Sequence, residues 1–367
     1  MTSAWSGEVS VEPVAPWDAH TLHAYFNACP ESPDGRRLLV FRSTRAEAER
    51  GDICVIDRED GGIRSLVEDV AVEDAHRQAC QQWADGGRWV VFHAMRDGRA
   101  IVCRANARTG QADEIAGERQ VGFSPAAGRL VPLHGQHWSP GEHRDLELLD
   151  VPSGEVRAAL TLEDVVGEGG SWARRMLSAR PRSIYFPVLS PDESRVLFKL
   201  SAPRIGRLRH PRASRREGLL VYDLERPEEI YRRDAWGHPA WFSDSRRIIN
   251  TPNTIIDVDV GEEHTLGALP SWRGSHPSMS PDGRMMVADI ISRTADGSER
   301  WAIVVADVET ERWRTLHLGD LPRAGTRSWR PVHPHPVFSH DGRRIYFNVN
   351  RDDWTVLHVA RVTGNED

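Results

Sequence analysis

One short pattern recurs seven times along the chain and constrains its fold more than any other feature. It is a turn rich in Ser, Pro, Asp and Gly, followed directly by an apolar strand. The copies begin at Ser32, Ala84, Ser124, Ser190, Ser243, Ser280 and Ser339. Asp-Gly and Pro-Asp-Gly supply the backbone conformations that tight turns require. A supersecondary unit repeated at this spacing is typical of propellers and other repeat architectures.

A second strand-like stretch follows each copy, as in ICVIDREDGG from Ile53 and AIVVADVETERW from Ala302. Apolar and β-branched residues alternate in these stretches, which predicts strands rather than helices. The sequence therefore predicts an all-β fold: a seven-bladed β-propeller with four antiparallel strands per blade, forming a single domain over residues 1–367. The segment GEVSVEPV from Gly7 is expected to pair with the last blade as its outer strand. No long run has helical periodicity, so no helix is predicted.

The net charge and the lack of long apolar runs give no reason to expect nucleic-acid or membrane partners. The formal net charge is −7, and nucleic-acid binding needs a concentrated basic face. The N-terminus has no basic segment followed by an apolar run, and no stretch approaches 18 apolar residues. We therefore expect a cytoplasmic protein, a monomer or weak homo-oligomer, that binds neither nucleic acid nor membranes.

A propeller is a scaffold, so its function depends on the residues near the central axis. His238, His276 and His335 lie 5, 4 and 4 residues before the serine of their turns. Radial symmetry directs residues at equivalent offsets towards one axis, which predicts a functional polar cluster rather than scattered surface histidines. The other repeats place further polar residues in the same region: His23, Tyr25, Asn27, His76, Gln78, Gln81, Gln82, His93, His134, His137, His143, Tyr185, Arg330 and His333.

The segment HPHP, which contains His333 and His335, is the most specific of these features and indicates a metal site. Two histidines at i and i+2 of an extended strand point to the same side, and Pro334 stiffens the chain between them. A third imidazole from the neighbouring blade, His276, would complete a ligand set for a divalent cation. Imidazole suits zinc, copper, nickel or iron, and also manganese where oxygen ligands or waters complete the shell. The alternative is that the segment is only a rigid turn.

The segments SHPSMSPDG and HPHPVFSHDG resemble those of oligogalacturonate lyases, seven-bladed propellers that act on uronic-acid oligosaccharides. Through the repeats, the resemblance covers nearly the whole chain. It implies a divalent cation, manganese first and calcium or zinc as alternatives, held by His276, His333 and His335. The family has a further glutamine ligand three residues before its HPH segment, where this chain has Arg330. A guanidinium cannot bind a metal, so this departure leaves the uronate class as the expected substrate rather than galacturonate itself.

The resemblance also implies catalytic roles. The family's base falls near His238 and a functional arginine near Arg216. In the broader group, which includes ulvan and rhamnosyl-glucuronate lyases, the corresponding roles fall on His76, His93 and Tyr185. Substrate binding is assigned to Arg330, His137, Gln82 and Trp236.

The chemistry implied is β-elimination across C4–C5 of a 4-O-linked uronic acid. The C5 proton becomes acidic enough for removal only when the charge of the neighbouring carboxylate is neutralised. A metal cation could do this, or the planar guanidinium of Arg216 or Arg330, which can donate two hydrogen bonds to a carboxylate. A neutral imidazole, His238 or His93, would then take the proton. Tyr185, another histidine or water would protonate the departing O4. Trp236 would stack on a sugar ring, with core packing between blades as its alternative role.

Two other functional classes remain open from the sequence. A non-catalytic TolB-like propeller, acting as a binding or protein-interaction module, would carry the same turns but a channel lined with small or apolar residues. A hydrolase would need paired carboxylates, and no acidic pair occupies the axial offsets.

Overall fold

The structure of the chain is a computed structural model that describes residues 4–136, 142–202, 215–269, 276–294, 296–321 and 332–363, apart from the side chains at 168 and 169. The chain divides into two compact units. Unit 1 comprises Met1–Gln81 and His238–Asp367, and unit 2 comprises Gln82–Gly237. The prediction of one domain over 1–367 stays a prediction.

Unit 1 begins with five strands: β1 (Val9–Pro13), β2 (His20–Leu22), β3 (Arg37–Ser43), β4 (Arg50–Asp57) and β5 (Ile63–Ala71). Unit 2 follows with β6 (Gln82–Ala84), β7 (Trp89–Arg96), β8 (Arg99–Asn106), β9 (Ala112–Gly117), β10 (Arg119–Val121), β11 (Leu130–Gly135), β12 (Leu146–Asp150), β13 (Glu155–Leu160), α1 (Leu162–Leu177), β14 (Ser183–Leu189), β15 (Arg195–Ala202), β16 (Arg215–Asp223) and β17 (Glu228–Arg233). The chain returns to unit 1 with β18 (Ala240–Trp241), β19 (Arg247–Asn250), β20 (Thr254–Asp257), β21 (Glu262–Thr265), β22 (His276–Met279), β23 (Met285–Arg293), β24 (Glu299–Asp307), β25 (Trp313–Gly319), β26 (Val337–Phe338), β27 (Arg344–Arg351) and β28 (Trp354–Val362).

The strands form antiparallel sheets of consecutive strands. Unit 2 contains β6–β9, β10–β13 and β14–β17, and unit 1 contains β18–β21 and β22–β25. An eight-stranded sheet of unit 1 has the order β26-β27-β28-β2-β3-β4-β5, with β1 also paired to β28. Its only parallel contact among the described strands joins β28 to β2. The all-β class and the four-stranded antiparallel sheets are confirmed, and the count of seven blades stays a prediction.

The first strand of the chain pairs with the last strand, as predicted. Strand β1 pairs antiparallel with β28, with Val9 opposite Val362 and Pro13 opposite His358. This pairing covers an edge of β28 that would otherwise expose unpaired backbone groups.

A serine in the repeated turn explains why the pattern folds as it does. In the turns that begin at Ser32, Ser190, Ser280 and Ser339, the serine hydroxyl donates to the aspartate two residues later, over 2.5–2.6 Å. The same oxygen accepts the backbone N–H of the residue five positions after the serine, over 2.9–3.0 Å. The turn is thus fixed by its own side chains, and each following strand starts at a defined residue.

The helix α1 was not predicted. Thr161 caps its N-terminus by accepting the N–H of Asp164, and Val165, Trp172 and Leu177 pack against strands of unit 2. Its glycines lower helix propensity, so tertiary packing rather than local preference stabilises it. No helix among the described residues has both the length and the apolar character required to cross a membrane.

Buried histidines predict a strong dependence of stability on pH. Among the histidines that the structure describes, a lowered pKa with burial as its largest cause is found at His20, His23, His317, His335, His340 and His358. The pKa of His358 falls to about 4. Between pH 6.5 and pH 4 the unfolded chain therefore binds a proton at this site that the folded chain does not, and stability falls as the pH falls. For His358 alone the loss is about 3 kcal/mol at pH 4.

The measurement is urea unfolding at a series of pH values between 7.5 and 4. The free energy of unfolding should fall on acidification. The slope of this free energy against pH gives the number of protons taken up on unfolding, and His358→Phe should reduce that number by up to one. Asp289 acts in the opposite direction, because burial raises its pKa to about 7 and the folded chain keeps a proton that the unfolded chain releases. Burial also raises the pKa of Glu193, which therefore acts in the same direction as Asp289, but these two carboxyls do not offset the buried histidines. A free energy of unfolding that does not change with pH would contradict the prediction.

Candidate functional site

The site in unit 1 is built around Asp289, a fully buried carboxylate in β23. Its Oδ1 accepts the backbone N–H of His276 over 2.8 Å, and its Oδ2 accepts the backbone N–H of His335 over 3.0 Å. Nδ1 of His276 lies 2.8 Å from the same carboxylate. Asp289 therefore joins β22 to the HPH segment and fixes the ring of His276.

Three imidazoles form what we call the imidazole group: His76, His333 and His335. Their ligand atoms all lie within 4.8 Å of one another. The ring centroid of His76 lies 4.6 Å from that of His333 and 4.8 Å from that of His335. Two nitrogens that share one ion at about 2.1 Å lie roughly 3–3.5 Å apart, so small side-chain rotations would bring the three rings to a common ion.

The donor set fits a divalent cation. His335 is fully buried, and neither of its ring nitrogens has a hydrogen-bond partner among the residues that the structure describes. An unsatisfied buried polar group is costly, and a metal ion would satisfy it. Three imidazoles suit zinc or another transition metal, and manganese with waters, better than calcium, which prefers oxygen ligands.

Electrostatics favour the form of His335 that can act as a ligand. Burial, followed by the neighbouring His276, His76 and His333, lowers the pKa of His335 well below its usual range. The ring is therefore neutral near pH 7, as metal ligation requires. The ring of Tyr25 packs edge-on against His335, with a centroid distance of 4.4 Å.

His276 lies beside the imidazole group, with its ring centroid 5.2 Å from His333 and 4.7 Å from His335. With Nδ1 donating to Asp289, its Nε2 carries the lone pair, an arrangement that orients metal-binding histidines through a carboxylate. The structure thus brings the three predicted ligands together and adds His76 to them. The assignment of His276 as a ligand stays a prediction.

His238 extends the cluster on the other side of His276. The two ring centroids lie 4.4 Å apart. His238 is only half-buried, whereas His76, His276 and His335 are buried. Its backbone N–H is held by Asn250 Oδ1 over 2.7 Å, which fixes the backbone without using the ring.

The two histidines of the HPH segment were expected to lie on an extended strand, and this expectation is wrong. The segment precedes β26 and is not a strand, and His335 has a φ of 49°. This left-handed conformation is uncommon for a residue other than glycine. The two rings still converge, with centroids 5.6 Å apart, because the backbone turns at His335.

A second group lies in unit 2 around the buried Tyr185 of β14. Arg216 of β16 donates from Nη1 to Tyr185 Oη over 3.0 Å, and its guanidinium carbon lies 5.2 Å from the centre of the tyrosine ring. The His134 ring lies 4.9 Å from that ring. Trp236 is 6% exposed, and its ring is covered by the ammonium of Lys199 at 4.4 Å. The roles predicted for Tyr185, Arg216 and Trp236 stay predictions.

Two other predicted residues of unit 2 contact the backbone. His93 is 1% exposed, and its Nδ1 accepts the N–H of Val121 over 3.3 Å. Gln82 donates to Gly122 O over 2.7 Å and accepts the N–H of Ser124 over 2.8 Å. These contacts join the first two sheets of unit 2, and the predicted catalytic role of His93 and substrate role of Gln82 stay predictions. Arg330 and His137, both assigned to substrate binding, lie outside the described residues.

Sequence reasoning assigned no role to Asp289 or Lys199. An acidic residue within the apolar run MMVADII is a signal for Asp289, because a lone carboxylate in a buried strand needs partners. Lys199 is the only lysine of the chain. A cleft of about 1050 Å³ along α1 is lined by Arg144, Arg174 and Arg175, and no histidine is among its described lining residues.

The fold can be compared with known proteins. No protein-family model and no curated protein sequence matches the chain. Among solved structures, an oligogalacturonate lyase in complex with manganese aligns over 98% of this chain and 94% of that chain, with a TM-score of 0.64 and 15% identity. An oligogalacturonate lyase from Vibrio parahaemolyticus aligns over 98% and 100%, with a TM-score of 0.66 and 14% identity.

The Dos1 propeller aligns over 99% of this chain and 97% of that chain, with a TM-score of 0.51 and 11% identity. Identities this low establish the fold and not the activity. The resemblance inferred from the SHPSMSPDG and HPHPVFSHDG segments is confirmed at that level: the chain has the fold of the oligogalacturonate lyase structures.

Proposed function

We propose that the protein is a carbon–oxygen lyase that cleaves 4-O-linked uronic acids in galacturonate- or glucuronate-containing oligosaccharides by β-elimination. The observation that carries the proposal is the convergence of His76, His333 and His335, with His276 between this group and the half-exposed His238. The fold similarity to oligogalacturonate lyases over nearly the whole chain supports it.

The imidazole group would hold a divalent cation, manganese first, through its neutral ring nitrogens. When bound, such an ion supplies Lewis acidity that neutralises the substrate carboxylate and makes the C5 proton more acidic. Asp289 holds the HPH backbone and His276 in register. Burial of His335 and the packing of Tyr25 against it keep bulk water away from that side of the group.

His238 is the proposed base. Its exposure allows a sugar to reach the ring, and its neutral imidazole takes the C5 proton. The C5–H and C4–O4 bonds break, a C4=C5 double bond forms, and the departing O4 takes a proton from water or a further acid. We favour His238 over His93 because His238 is half-buried, whereas His93 is only 1% exposed.

The proposal also includes a propeller of seven blades, a single domain, a cytoplasmic location and a monomer or weak homo-oligomer without nucleic-acid partners. The four-stranded sheets support the bladed architecture, and the acidic net charge supports the expectation of no nucleic-acid partner.

The test is ultraviolet absorbance on a panel of uronate-containing oligosaccharides with added Mn²⁺. Elimination creates a conjugated double bond and hydrolysis does not, so a rise in absorbance that chelator abolishes is the expected result. No rise across the panel, together with no tightly bound metal in elemental analysis, would contradict the proposal. Binding of the sugars without turnover would favour a non-catalytic TolB-like binding module.

A further inference from the structure

The cleft along α1 in unit 2 is basic, although the protein as a whole is acidic. Its lining includes four arginines: Arg144, Arg174, Arg175 and Arg180. Two acidic residues, Asp145 and Glu163, also line it, so four positive and two negative charges give the described lining a formal charge of +2. The net charge of the chain is −7. A concave surface with one dominant sign of charge concentrates ions of the opposite sign, so this cleft attracts anions.

Neighbouring side chains do not neutralise the positive charge of the cleft. All four arginines are exposed, and none has an ion pair or a side-chain hydrogen bond with another residue in the described part of the chain. Oppositely charged residues three or four positions apart can pair on a helix, but no acidic residue occupies such a position relative to Arg174 or Arg175. An anionic ligand therefore has no described carboxylate to displace from these arginines.

Helix stability alone does not explain the cluster. Arg174 and Arg175 lie in the last turn of α1, where a positive charge stabilises a helix through its macrodipole. Arg144 and Arg180 lie outside the helix, in the segments before β12 and before β14, and the macrodipole does not account for their presence. Three separate segments of the chain thus bring their positive charges to one cleft.

Hydrogen bonds fix the walls of the cleft relative to one another. Asp145 Oδ1 accepts the backbone N–H of Leu162 over 2.7 Å and so holds the first turn of α1. The backbone carbonyl of Arg144 accepts the N–H of Ile184 over 2.9 Å, which joins the segment before β12 to β14. The buried Trp172 packs α1 into the core of unit 2. A cleft with fixed walls pays little conformational entropy when a ligand binds.

The other lining residues favour a sugar over a nucleotide. Gly167 lies on the cleft surface of α1, and a Cβ atom there would meet no heavy atom within 4 Å, so the helix leaves room for a ligand. Ser171 and Glu163 offer polar groups for sugar hydroxyls. No aromatic side chain is among the described lining residues, so a nucleobase would have no ring to stack on.

The size and the charge of the cleft match an oligouronate. Its volume of about 1050 Å³ accommodates a ligand of several sugar units rather than one small anion. Every unit of an oligouronate carries a carboxylate, and a planar guanidinium can donate two parallel hydrogen bonds to a carboxylate. Several arginines on separate segments therefore suit a ligand with several carboxylates.

We propose that the cleft along α1 is a second oligosaccharide-binding site, which holds an oligouronate through Arg144, Arg174, Arg175 and Arg180. The identity of the ligand rests on the proposed function, whereas the attraction of anions rests on the cleft itself. The cleft shares no described residue with the imidazole group, and no histidine is among its described lining residues. It therefore binds the oligosaccharide without taking its C5 proton.

The experiment counts the trigalacturonate molecules that the protein binds, by titration calorimetry. His238→Gln, loaded with Mn²⁺, is the reference protein, because it lacks the proposed base and should not consume the ligand. It should bind two trimers, one beside the imidazole group and one in the cleft. Adding Arg174→Gln and Arg175→Gln should weaken the cleft at least about tenfold, because hydrogen bonds to charged groups are lost. The affinity of the other site should stay the same.

Two further pairs of substitutions separate the cleft from helix stability and from net charge. Arg144→Gln with Arg180→Gln leaves the helix sequence intact and should weaken the same site at least about tenfold. Arg108→Gln with Arg157→Gln removes two exposed charges elsewhere in unit 2 and should leave both sites unchanged. Thermal melting confirms that each variant is folded. The fully methyl-esterified trimer, which has no charge, should not bind in the cleft.

Four results would overturn the second site. They are two bound trimers at reference affinity in both folded cleft variants, an equal loss in the Arg108→Gln and Arg157→Gln variant, binding of the ester as tight as that of the acid, and binding of pyrophosphate in the cleft as tight as that of the trimer. One bound trimer in the reference and none in the cleft variants would support the cleft and contradict the proposed lyase function instead.

Discussion

Replacing His335 with alanine is expected to abolish stoichiometric binding of divalent metal, with the dissociation constant rising more than about 100-fold, because loss of even an outer-shell partner costs 10–100-fold. Lyase activity should be lost with the metal. His335 is the most buried member of the imidazole group, and both ring nitrogens lack hydrogen-bond partners within the described part of the chain. Alanine therefore removes the ligand without breaking a described hydrogen bond of the ring.

The matched control is His358→Ala, which also truncates a buried histidine of unit 1. His358 lies within the eight-stranded sheet, and its Nδ1 contacts Val356 O over 2.9 Å. It should lose stability and keep the metal. Titration calorimetry with Mn²⁺ and Zn²⁺, with thermal melting as a check on folding, distinguishes the two variants. Stoichiometric metal in His335→Ala, at wild-type affinity, would show that the imidazole group is not the metal site.

The repeated turn predicted the strands of the fold because its conformation is determined by residues within the turn. The turns that begin at Ser32, Ser190, Ser280 and Ser339 each close through their own serine and aspartate, so their conformation depends little on the rest of the chain. The pairing of β1 with β28 was predictable because an unpaired edge of the last strand would expose backbone hydrogen-bonding groups. The helix α1 was not, because its stability comes from packing of residues such as Trp172 against strands distant in sequence.

The candidate site likewise combines features that the repeat predicts with features that depend on tertiary contacts. Similar offsets from the turns predicted that His238, His276 and His335 would lie together, and their rings form a contiguous cluster. The entry of His76 into the imidazole group depends on the loop before β6, which no repeat specifies. The left-handed conformation of His335 and the hydrogen bonds of Asp289 are tertiary features. Periodicity indicates which residues face a common direction, whereas the contacts that fix their rings come from other strands.

Replacing His238 with glutamine is expected to lower kcat by about 10²–10⁴-fold, the usual contribution of a general base, with little change in KM or in metal affinity. The backbone of His238 is anchored to Asn250 through its N–H, so the substitution leaves that contact intact. Because a base must be unprotonated, the acidic limb of the pH–rate profile should weaken or disappear in the variant.

The measurement is the initial rate of double-bond formation, with metal content determined on the same samples. His264→Gln is the matched control, since His264 is an exposed histidine of β21 in the same unit, and it should retain full activity. A His238→Gln variant with normal kcat and an unchanged pH profile would remove His238 as the base while leaving the metal site intact. Loss of metal together with activity would instead make His238 part of the ligand set, because a base that only moves a proton does not control metal affinity.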